Sequence, residues 1–572
     1  MNSDLPTRRQ KPADGKSFAR LPELLSPRAF FAVALCLGAV VFAVYSPALE
    51  FQFVLDDHRF TSDPRIQSPD HVWDYFANYV WAQFTGGPPS FYRPLFILWL
   101  RINFVLSGLS PWGWHLLSIM KHVAVAGLLG LLVLTLLQDR VAALVGATLF
   151  ALHPAQTESV AWVTVPDPLM SVGVLSAVLL YLKWVAGLPS NGVHERESRK
   201  AARIRKAAQP GAFWLIASAA VCFAALLAKE TAIVLPALIF ALALLMPQGE
   251  KENADFRSRL VPALRQTAPF FCVTVFYLLM RLNALGRKLG SVSQHLPWGT
   301  VLLSWPATLW FYVKVLLWPV RSRAFADPLL FESFSFRDVL LPALGVSCAV
   351  ATLAGALFWA RRKAQRDHPR QEAANVEYAL LIGTLLLVLP ILLTLNLNAL
   401  NPGDFLHGRY TYLPSAGLML LAATGWHLAG KMRVPLLCAG SLLAVVFALL
   451  AVSQDKQWKD DLTVFTVAHQ LAPRNAPVAH NLANAHVQVA LQQADDGRCS
   501  EAMPVFEQVS QEYPQDWYAW AGRAECFVQG NDLSKAEESL HKAAELSHDS
   551  RVIQQWQELR VSMGLPNSVA GH

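Results

Sequence analysis

Charge is what this sequence has least of. Asp, Glu, Lys and Arg make up 16% of its 572 residues, and 54% are hydrophobic, against roughly a quarter charged in an average soluble domain. A deficit that large excludes a water-soluble globule for most of the chain. Cysteine is also sparse. Five of the seven, Cys36, Cys222, Cys272, Cys348 and Cys438, sit in apolar runs, where the thiol behaves as a small apolar group. No glycine-rich loop is present to cradle a phosphate, and no Ser-His-Asp order stands out. The sixteen His lack metal-ligand spacing. His115 and His122, seven apart on one helical face, read as a packed pair. No cofactor is called for on these grounds, and a divalent cation stays open. Residues 1–28 are polar, with Pro and Arg scattered through them, which does not match a cleavable signal peptide.

Long apolar runs are abundant instead. A helix needs about 20 mainly apolar residues to span a bilayer, and roughly eleven candidates recur: 30–45, 115–137, 141–152, 160–185, 212–227, 232–246, 270–285, 339–359, 378–395, 416–428 and 434–452. Basic residues collect between them. Arg8, Arg9, Lys11, Lys16 and Arg20 precede the first run; Arg196, Arg199, Lys200, Arg203, Arg205 and Lys206 follow the fourth. Arg361, Arg362, Lys363 and Arg366 follow the eighth, and Lys431 and Arg433 the tenth. Counted this way all fall on one side, which the positive-inside rule makes cytoplasmic. Residues 298–320 are apolar enough to cross, but crossing would put every later basic loop outside. The segment is therefore expected along the outer interface. Before Gln454 there are 39 basic and 25 acidic residues, and after it 9 and 16. The net charge of +7 thus reports topology, not nucleic-acid binding.

From about residue 454 the pattern becomes that of soluble amphipathic helices. Gly497, Ala502, Phe506 and Pro514 take the offsets of the second half of a tetratricopeptide unit, and Gly530, Ala536, Leu540 and Ala543 repeat them. The first unit looks lengthened between Val487 and Asp496. Two units fall short of the roughly three needed for independent stability, so 458–473 and 550–563 are expected to cap them. The division expected is a cytoplasmic tail (1–28), a transmembrane domain (29–453) and an extracytoplasmic repeat domain (454–572). Cys499 and Cys526 are the two cysteines outside the apolar runs. Either they form a bridge or they fill a helix interface unpaired.

Polar groups mark one set of loops. Asp56 and Asp57 follow the first run, and paired carboxylates are expensive to hold near lipid. Arg93, His153, Glu158, Lys229, Arg409 and Tyr410 are expected to face the same outer compartment. Carboxylates with fixed cations beside a membrane suit a lipid-linked phosphate. The cations neutralise the leaving phosphate, and a carboxylate takes the proton of the attacking hydroxyl.

The strings FVLDDHRF, YRPLFILWLRINF, LFALHPAQTESVAWV, LLAKETAIVLP and GRYTYLPSAG, then W-K-D-D-L and the repeats, together resemble the transmembrane and tetratricopeptide repeat-containing O-mannosyltransferases and their bacterial relatives, of the GT-C superfamily. The resemblance runs from about residue 51 to 546. It implies an all-α fold: a GT-C-like bundle of about eleven spans with interfacial helices, followed by a tetratricopeptide tail. By the same resemblance Asp56 and Asp57 are catalytic, Arg93, Arg409 and Lys229 hold the donor phosphate, and His153, Glu158 and Tyr410 form the site wall. One departure bears on sugar identity: relatives carry a basic residue and then Asp after the HP…TE motif, where this chain has Val165-Pro166-Asp167-Pro168.

The implied activity is transfer of a sugar from a polyprenyl-phosphate donor to a Ser or Thr hydroxyl of an acceptor protein, which the repeat tail holds. It would take place beside membrane lipids, in a bacterial periplasm or an ER lumen. A lipid or glycan acceptor is the alternative within that class. A non-catalytic membrane scaffold recruiting partners through the tail is the alternative outside it.

Overall fold

The computed structural model describes residues 27–83, 91–187, 212–245, 256–286, 296–320, 326–327, 329–399, 406–547 and 550–566. The basic residues before the first run and those at 196–206 lie outside the described residues. Every extended element described is helical.

The membrane part begins with α1 (Pro27–Tyr45), a short α2 (Asp56–Ser62), α3 (Pro94–Ser107), α4 (Pro111–Leu137), α5 (Arg140–Leu152) and α6 (Asp167–Ala186). It continues with α7 (Phe213–Ala228), α8 (Val234–Leu245), α9 (Phe256–Ala284), α10 (Trp298–Leu317), α11 (Leu341–Asp367), α12 (Arg370–Leu393), α13 (Tyr412–His427) and α14 (Arg433–Asp455). Among the described residues, seven helical stretches are long and apolar enough to cross a membrane, and five more are apolar but shorter. α4 is central, with 56% of its most apolar stretch buried in the protein, whereas the stretches containing α11 and α14 bury 6% and 11%. Apolar side chains that face outward, such as Val350, Leu442 and Leu449, suit lipid rather than water.

Proline and small residues shape the bundle. Pro94 and Pro111 open their helices, where a missing N–H is harmless. The expected 160–185 run is corrected by this rule. A short helix ends at Ala161, the backbone leaves helical geometry through Val165, and α6 starts only at Asp167 with Pro168 in its first turn. Residues 162–166 therefore form a loop. The expected 416–428 run is the C-terminal part of α13, a 16-residue helix buried along much of its length. α10 runs unbroken through Pro306 and is as long and apolar as helices that cross. Its interfacial placement rests on the charge pattern alone.

The tail is α15 (Asp461–Leu471), α16 (Ala476–Asp495), α17 (Cys499–Glu512), α18 (Trp517–Gln529), α19 (Leu533–Ser547) and α20 (Ser550–Ser562). Each packs on the next. Side-chain caps start four of them: Asp460 accepts from Thr463 N, Asn475 from Val478 N, Asp516 from Ala519 N and Asp532 from Lys535 N, each worth about 1 kcal/mol. The repeat positions are core: Ala502, Phe506, Ala536, Leu540 and Ala543 are buried. α16, at 20 residues against 13 for α18, is the lengthened helix. Cys499 opens α17, Cys526 lies late in α18, and the two are bridged with Cα atoms 5.3 Å apart.

Tail and bundle are joined firmly. Trp458 and Val464 pack with Ala48, Phe51, Val54, Ala161, Trp162 and Val165 in one apolar cluster, and the Trp162 and Trp458 rings stack at 5.9 Å. Gln52 N donates to Lys459 O, and Asn475 Nδ2 donates to Ala326 O. The loops between spans thus form a seat for the first tail helices.

Candidate active site

The acidic pair sits at that seat. Leu55 precedes α2 with φ +56°, unfavourable for a residue with a Cβ. Such a conformation persists only when its surroundings over-determine it. Here Leu55 N donates to Asp461 Oδ1 at 2.8 Å, so a tail carboxylate holds the turn that starts α2. The other oxygen of Asp461 lies 2.9 Å from His58 Nε2, and that hydrogen bond raises the His58 pKa.

The turn sends the two carboxylates in different directions. Asp57 points inward and is fully buried. It accepts from Val54 N at 3.1 Å, Thr164 N at 3.2 Å and Thr164 Oγ1 at 2.6 Å. Burial pushes its pKa up to about 7, against the pull of those donors. Asp56 instead lines a cavity of about 360 Å³, within the usual size range of ligand pockets. Arg59, Trp162 and His407 share its wall with Asp56, and Asp461, Phe465, Asn481, Asn484 and Gln488 of the tail stand opposite. The site is built from both the bundle and the first tail helices, the tail supplying the larger share of its wall.

The expected cations gather in a row of ion pairs, of which Lys229–Asp167 is buried and the other two are partly buried. Arg93 donates to Glu230 from Nε at 2.9 Å and from a terminal nitrogen at 2.5 Å. Lys229 Nζ reaches both oxygens of Asp167 at 2.6 and 2.7 Å. Arg409 N donates to Glu158 at 2.9 Å, and its guanidinium lies 3.7 Å from the same carboxylate. Aromatic rings tie the row together. The Arg409 guanidinium is 4.5 Å above Trp162, a wall of the cavity, and Lys229 is 5.1 Å above Tyr410. Arg93 and Arg409 are both close enough to act electrostatically on Lys229. Three cations with matched anions form a polar strip inside an apolar bundle, where an unpaired charge would be severely penalised.

His153 does not join this strip. Its Nε2 faces Leu316 O at 3.0 Å and its Nδ1 accepts from Ala155 N at 3.2 Å, which shapes the turn after α5. Glu158 and Tyr410 do join it. His122 Nδ1 is 2.7 Å from the Tyr412 hydroxyl and Nε2 is 3.0 Å from Ala151 O, a packed and bonded residue. Among the described residues no three His, Cys, Asp or Glu side chains are grouped to hold a metal ion.

Four participants were not singled out from the sequence. Asp461 lies within the W-K-D-D-L string, where only the resemblance marks it. His407 immediately precedes GRYTYLP and stands 3.0 Å from Glu158. Lys121 is buried in α4, above the Trp99 ring and within electrostatic reach of Asp57 and Asp167; a lone Lys in an apolar run was the available signal. Asp167, noted only as a departure, is the partner of Lys229. The missing basic neighbour is thus supplied from another helix.

Comparison with known proteins agrees with the architecture. A tetratricopeptide repeat model matches residues 493–555. The chain is 26% identical to Protein O-mannosyl-transferase Tmtc1 of Drosophila melanogaster, over 77% of this chain and 58% of that protein. It is 25% identical to human Protein O-mannosyl-transferase TMTC4, over 79% and 63%. Identity reaches 33% with TMTC2 of Mus musculus, over only 26% and 18%. The chain therefore spans about 60% of the length of the first two relatives. Among solved structures, the Archaeoglobus fulgidus oligosaccharyltransferase aligns with 13% identity and a TM-score of 0.37, covering 80% of this chain and 60% of that one. ArnT of Cupriavidus metallidurans, bound to undecaprenyl phosphate, aligns with 14% identity and a TM-score of 0.33, covering 90% and 77%. At such scores neither structural likeness supports an assignment. On sequence, the chain is similar to proteins named protein O-mannosyl-transferase in fly and human, and it carries a tetratricopeptide repeat.

Proposed function

We propose that this protein is a membrane glycosyltransferase that moves a sugar, with mannose favoured by the names of its relatives, from a polyprenyl-phosphate donor to a Ser or Thr hydroxyl of a polypeptide. Residues 29–453 form the catalytic domain, and 454–572 the repeat domain that faces the acceptor. The observation that carries this reading is the cavity in which Asp56 of the first loop faces the tetratricopeptide helices. A pure scaffold needs no carboxylate presented there.

In the proposed reaction the acceptor oxygen bonds to the anomeric carbon while the bond from that carbon to the phosphate oxygen breaks. The electron pair leaves on the polyprenyl phosphate, the hydroxyl proton passes to Asp56, and the anomeric centre inverts. Asp57 acts through the backbone: by accepting from Val54 N and Thr164 it fixes the turn that aims its neighbour. Arg93, Lys229 and Arg409 stabilise the phosphate charge as it develops. Their carboxylate partners hold them in place until the donor enters. The basic-residue pattern supports a cytoplasmic N-terminus and an extracytoplasmic tail. The Cys499–Cys526 bridge supports the same orientation, since disulfides persist in oxidising compartments.

The test is mass spectrometry of envelope or lumenal glycoproteins from cells with the protein, without it, and with Asp56→Asn. Hexose-modified Ser or Thr sites should disappear without the protein. Purified Asp56→Asn should transfer sugar at least about 100-fold more slowly, the low end for a lost general base. Undiminished transfer by that variant would remove Asp56 as the base, and an unchanged glycoprotein profile would favour the scaffold.

A further inference from the structure

The turn that carries Asp56 is held in a shape its own sequence does not favour. Leu55 stands at φ +56°, a region that glycine enters freely and a residue with a Cβ resists. α2 begins there with no side-chain cap, and its seven residues are too few to make a helix that sustains itself. The shape of the turn is therefore imposed from outside. On the inner side the bundle supplies one restraint, through Asp57 accepting from Val54 N and Thr164.

On the outer side the restraints come from the tail. Leu55 N donates to Asp461 Oδ1 at 2.8 Å, and Gln52 N donates to Lys459 O at 2.9 Å. Segments 52–55 and 459–461 are thus clipped together at both ends. The Leu55 side chain packs on the cluster to which the tail contributes Trp458 and Val464, so backbone and side chain of this residue both lean on the tail. Asp461 is free of the usual duty of an acid at a helix start. Asp460 caps α15 instead, accepting from Thr463 N at 2.8 Å and Thr463 Oγ1 at 2.7 Å. The second oxygen of Asp461 meets His58 Nε2 at 2.9 Å. One tail carboxylate thus grips the residue just before Asp56 and the residue two after it.

We infer that Asp461 is a positioning residue for the transfer reaction: the first tail helix clamps the catalytic turn and aims Asp56, so that the base is in place only while the repeat domain is seated on the bundle. This inference rests on the glycosyl-transfer reading, with Asp56 as the base, and gives the tail a part in the chemical step in addition to any part in holding the acceptor. Leu55 is what makes the dependence strong. A glycine there would keep the turn without help, whereas leucine keeps it only while its surroundings over-determine it. With the tail displaced, the turn relaxes, Asp56 loses its aim and the donor is left unused.

The experiment uses the full-length protein in detergent, with polyprenyl-phosphate mannose and a Thr-containing peptide. Asp461→Ala should lower kcat about ten- to a hundredfold, the range for a hydrogen bond to a charged group. The donor KM should hold, because Arg93, Lys229 and Arg409 are untouched. Asp461→Asn keeps an oxygen for Leu55 N and a polar group for His58, and it should recover most of the rate. The decisive background is Leu55→Gly, in which the turn stands unaided: adding Asp461→Ala there should cost less than about threefold. Hydrogen exchange supplies a readout that needs no activity. In Asp461→Ala the amides of 52–60 should exchange faster while α16 to α20 keep their protection. Equal kcat in wild type and Asp461→Ala, or an equal cost in the two backgrounds, overturns the inference. Lost protection throughout the tail would make Asp461 a residue of the tail fold and overturns it as well. Faster exchange confined to 52–60, in a protein whose wild type transfers no sugar, would leave the clamp standing and remove the transferase reading. Transfer that ignores Asp461, with exchange at 52–60 unchanged, would do the reverse.

Discussion

The bundle and the tail solve the same problem, helix against helix, by different means. In the bundle, α12 and α13 approach so closely that a Cβ on Gly417 would lie 2.5 Å from Gly383 O and from Leu387 N, backbone against backbone. With lipid outside there is no hydrophobic drive between helices, and close van der Waals contact through small residues takes its place. In the tail, the glycine at the interface meets a side chain: a Cβ on Gly522 would lie 2.4 Å from the Phe506 ring. There water drives short amphipathic helices together, an aromatic ring fills the gap, and caps and a disulfide make up for a small core. Charges differ in the same way. The bundle buries Lys229 with Asp167 and half-buries Arg93 beside Glu230, whereas tail pairs such as Arg498–Asp496 are exposed and worth little. Placement of polar groups in the bundle therefore reports function more directly than it does in the tail.

The comparison can be broken first at the disulfide. Reduction, or Cys499→Ala with Cys526→Ala, should destabilise the tail by about 3 kcal/mol in the chain-entropy model for a loop of this size, while leaving the bundle intact. Urea unfolding followed by limited proteolysis separates the two, and an unchanged tail midpoint would show that repeat packing suffices alone. The next effect belongs to the bundle. Arg93→Ala and Arg409→Ala should each weaken use of the polyprenyl-phosphate donor by on the order of tenfold to a hundredfold, the range for a charge-assisted hydrogen bond. Lys at either position should restore only part, since the planar fork is lost. Donor saturation curves that match wild type in both Ala variants would mean that other cations bind the phosphate.

The glycines sharpen the contrast at about 1–3 kcal/mol each, typical of overpacking. Gly522→Ala should be rescued by Phe506→Leu, because a side chain can yield. Gly417→Ala should resist rescue by any side-chain change on α12, because its obstacle is backbone. Paired thermal-unfolding measurements decide this.

The smallest effect is in pH, and its sign differs between the regions. Asp57 has its pKa raised to about 7 by burial, from about 4 when unfolded. Its protonated form favours the fold, so the contribution present below about pH 4 is lost as pH rises through 7. In the tail, Glu537 is partly desolvated, but its bonds with Arg560 and Trp556 prevail and lower its pKa. Its contribution is present above the unfolded value and is lost as pH falls through the folded one. Asp57→Asn should flatten the decline of the bundle midpoint between pH 4.5 and 7.5 and leave the acid limb of the tail unchanged. A wild-type bundle midpoint that rises across that interval would contradict the burial argument.

Much of this was legible in order along the chain. Apolar runs, basic clusters and the Gly–Ala–Phe–Pro offsets depend on local composition and period, so they marked helices and repeats directly. The acidic pair at 56 and 57 and the cations at 93, 229 and 409 were legible because charge is rare in such a chain. α6 starts later than its apolar run, because mainly apolar residues continue through 160–165 while Pro166 and Pro168 stop the helix from reaching back.

What the sequence by itself determined is which segments leave water and which residues are conspicuous there. Transfer free energy and helical period act on neighbours in the chain. What only the tertiary structure decided is who meets whom: Asp56 turned to a cavity and Asp57 turned away from it, Lys229 set on Asp167, and Asp461 holding the turn at Leu55. Those pairings join residues up to 406 positions apart. They are fixed by the packing of whole helices and by the need to satisfy each polar group taken out of water, which no stretch of sequence states on its own.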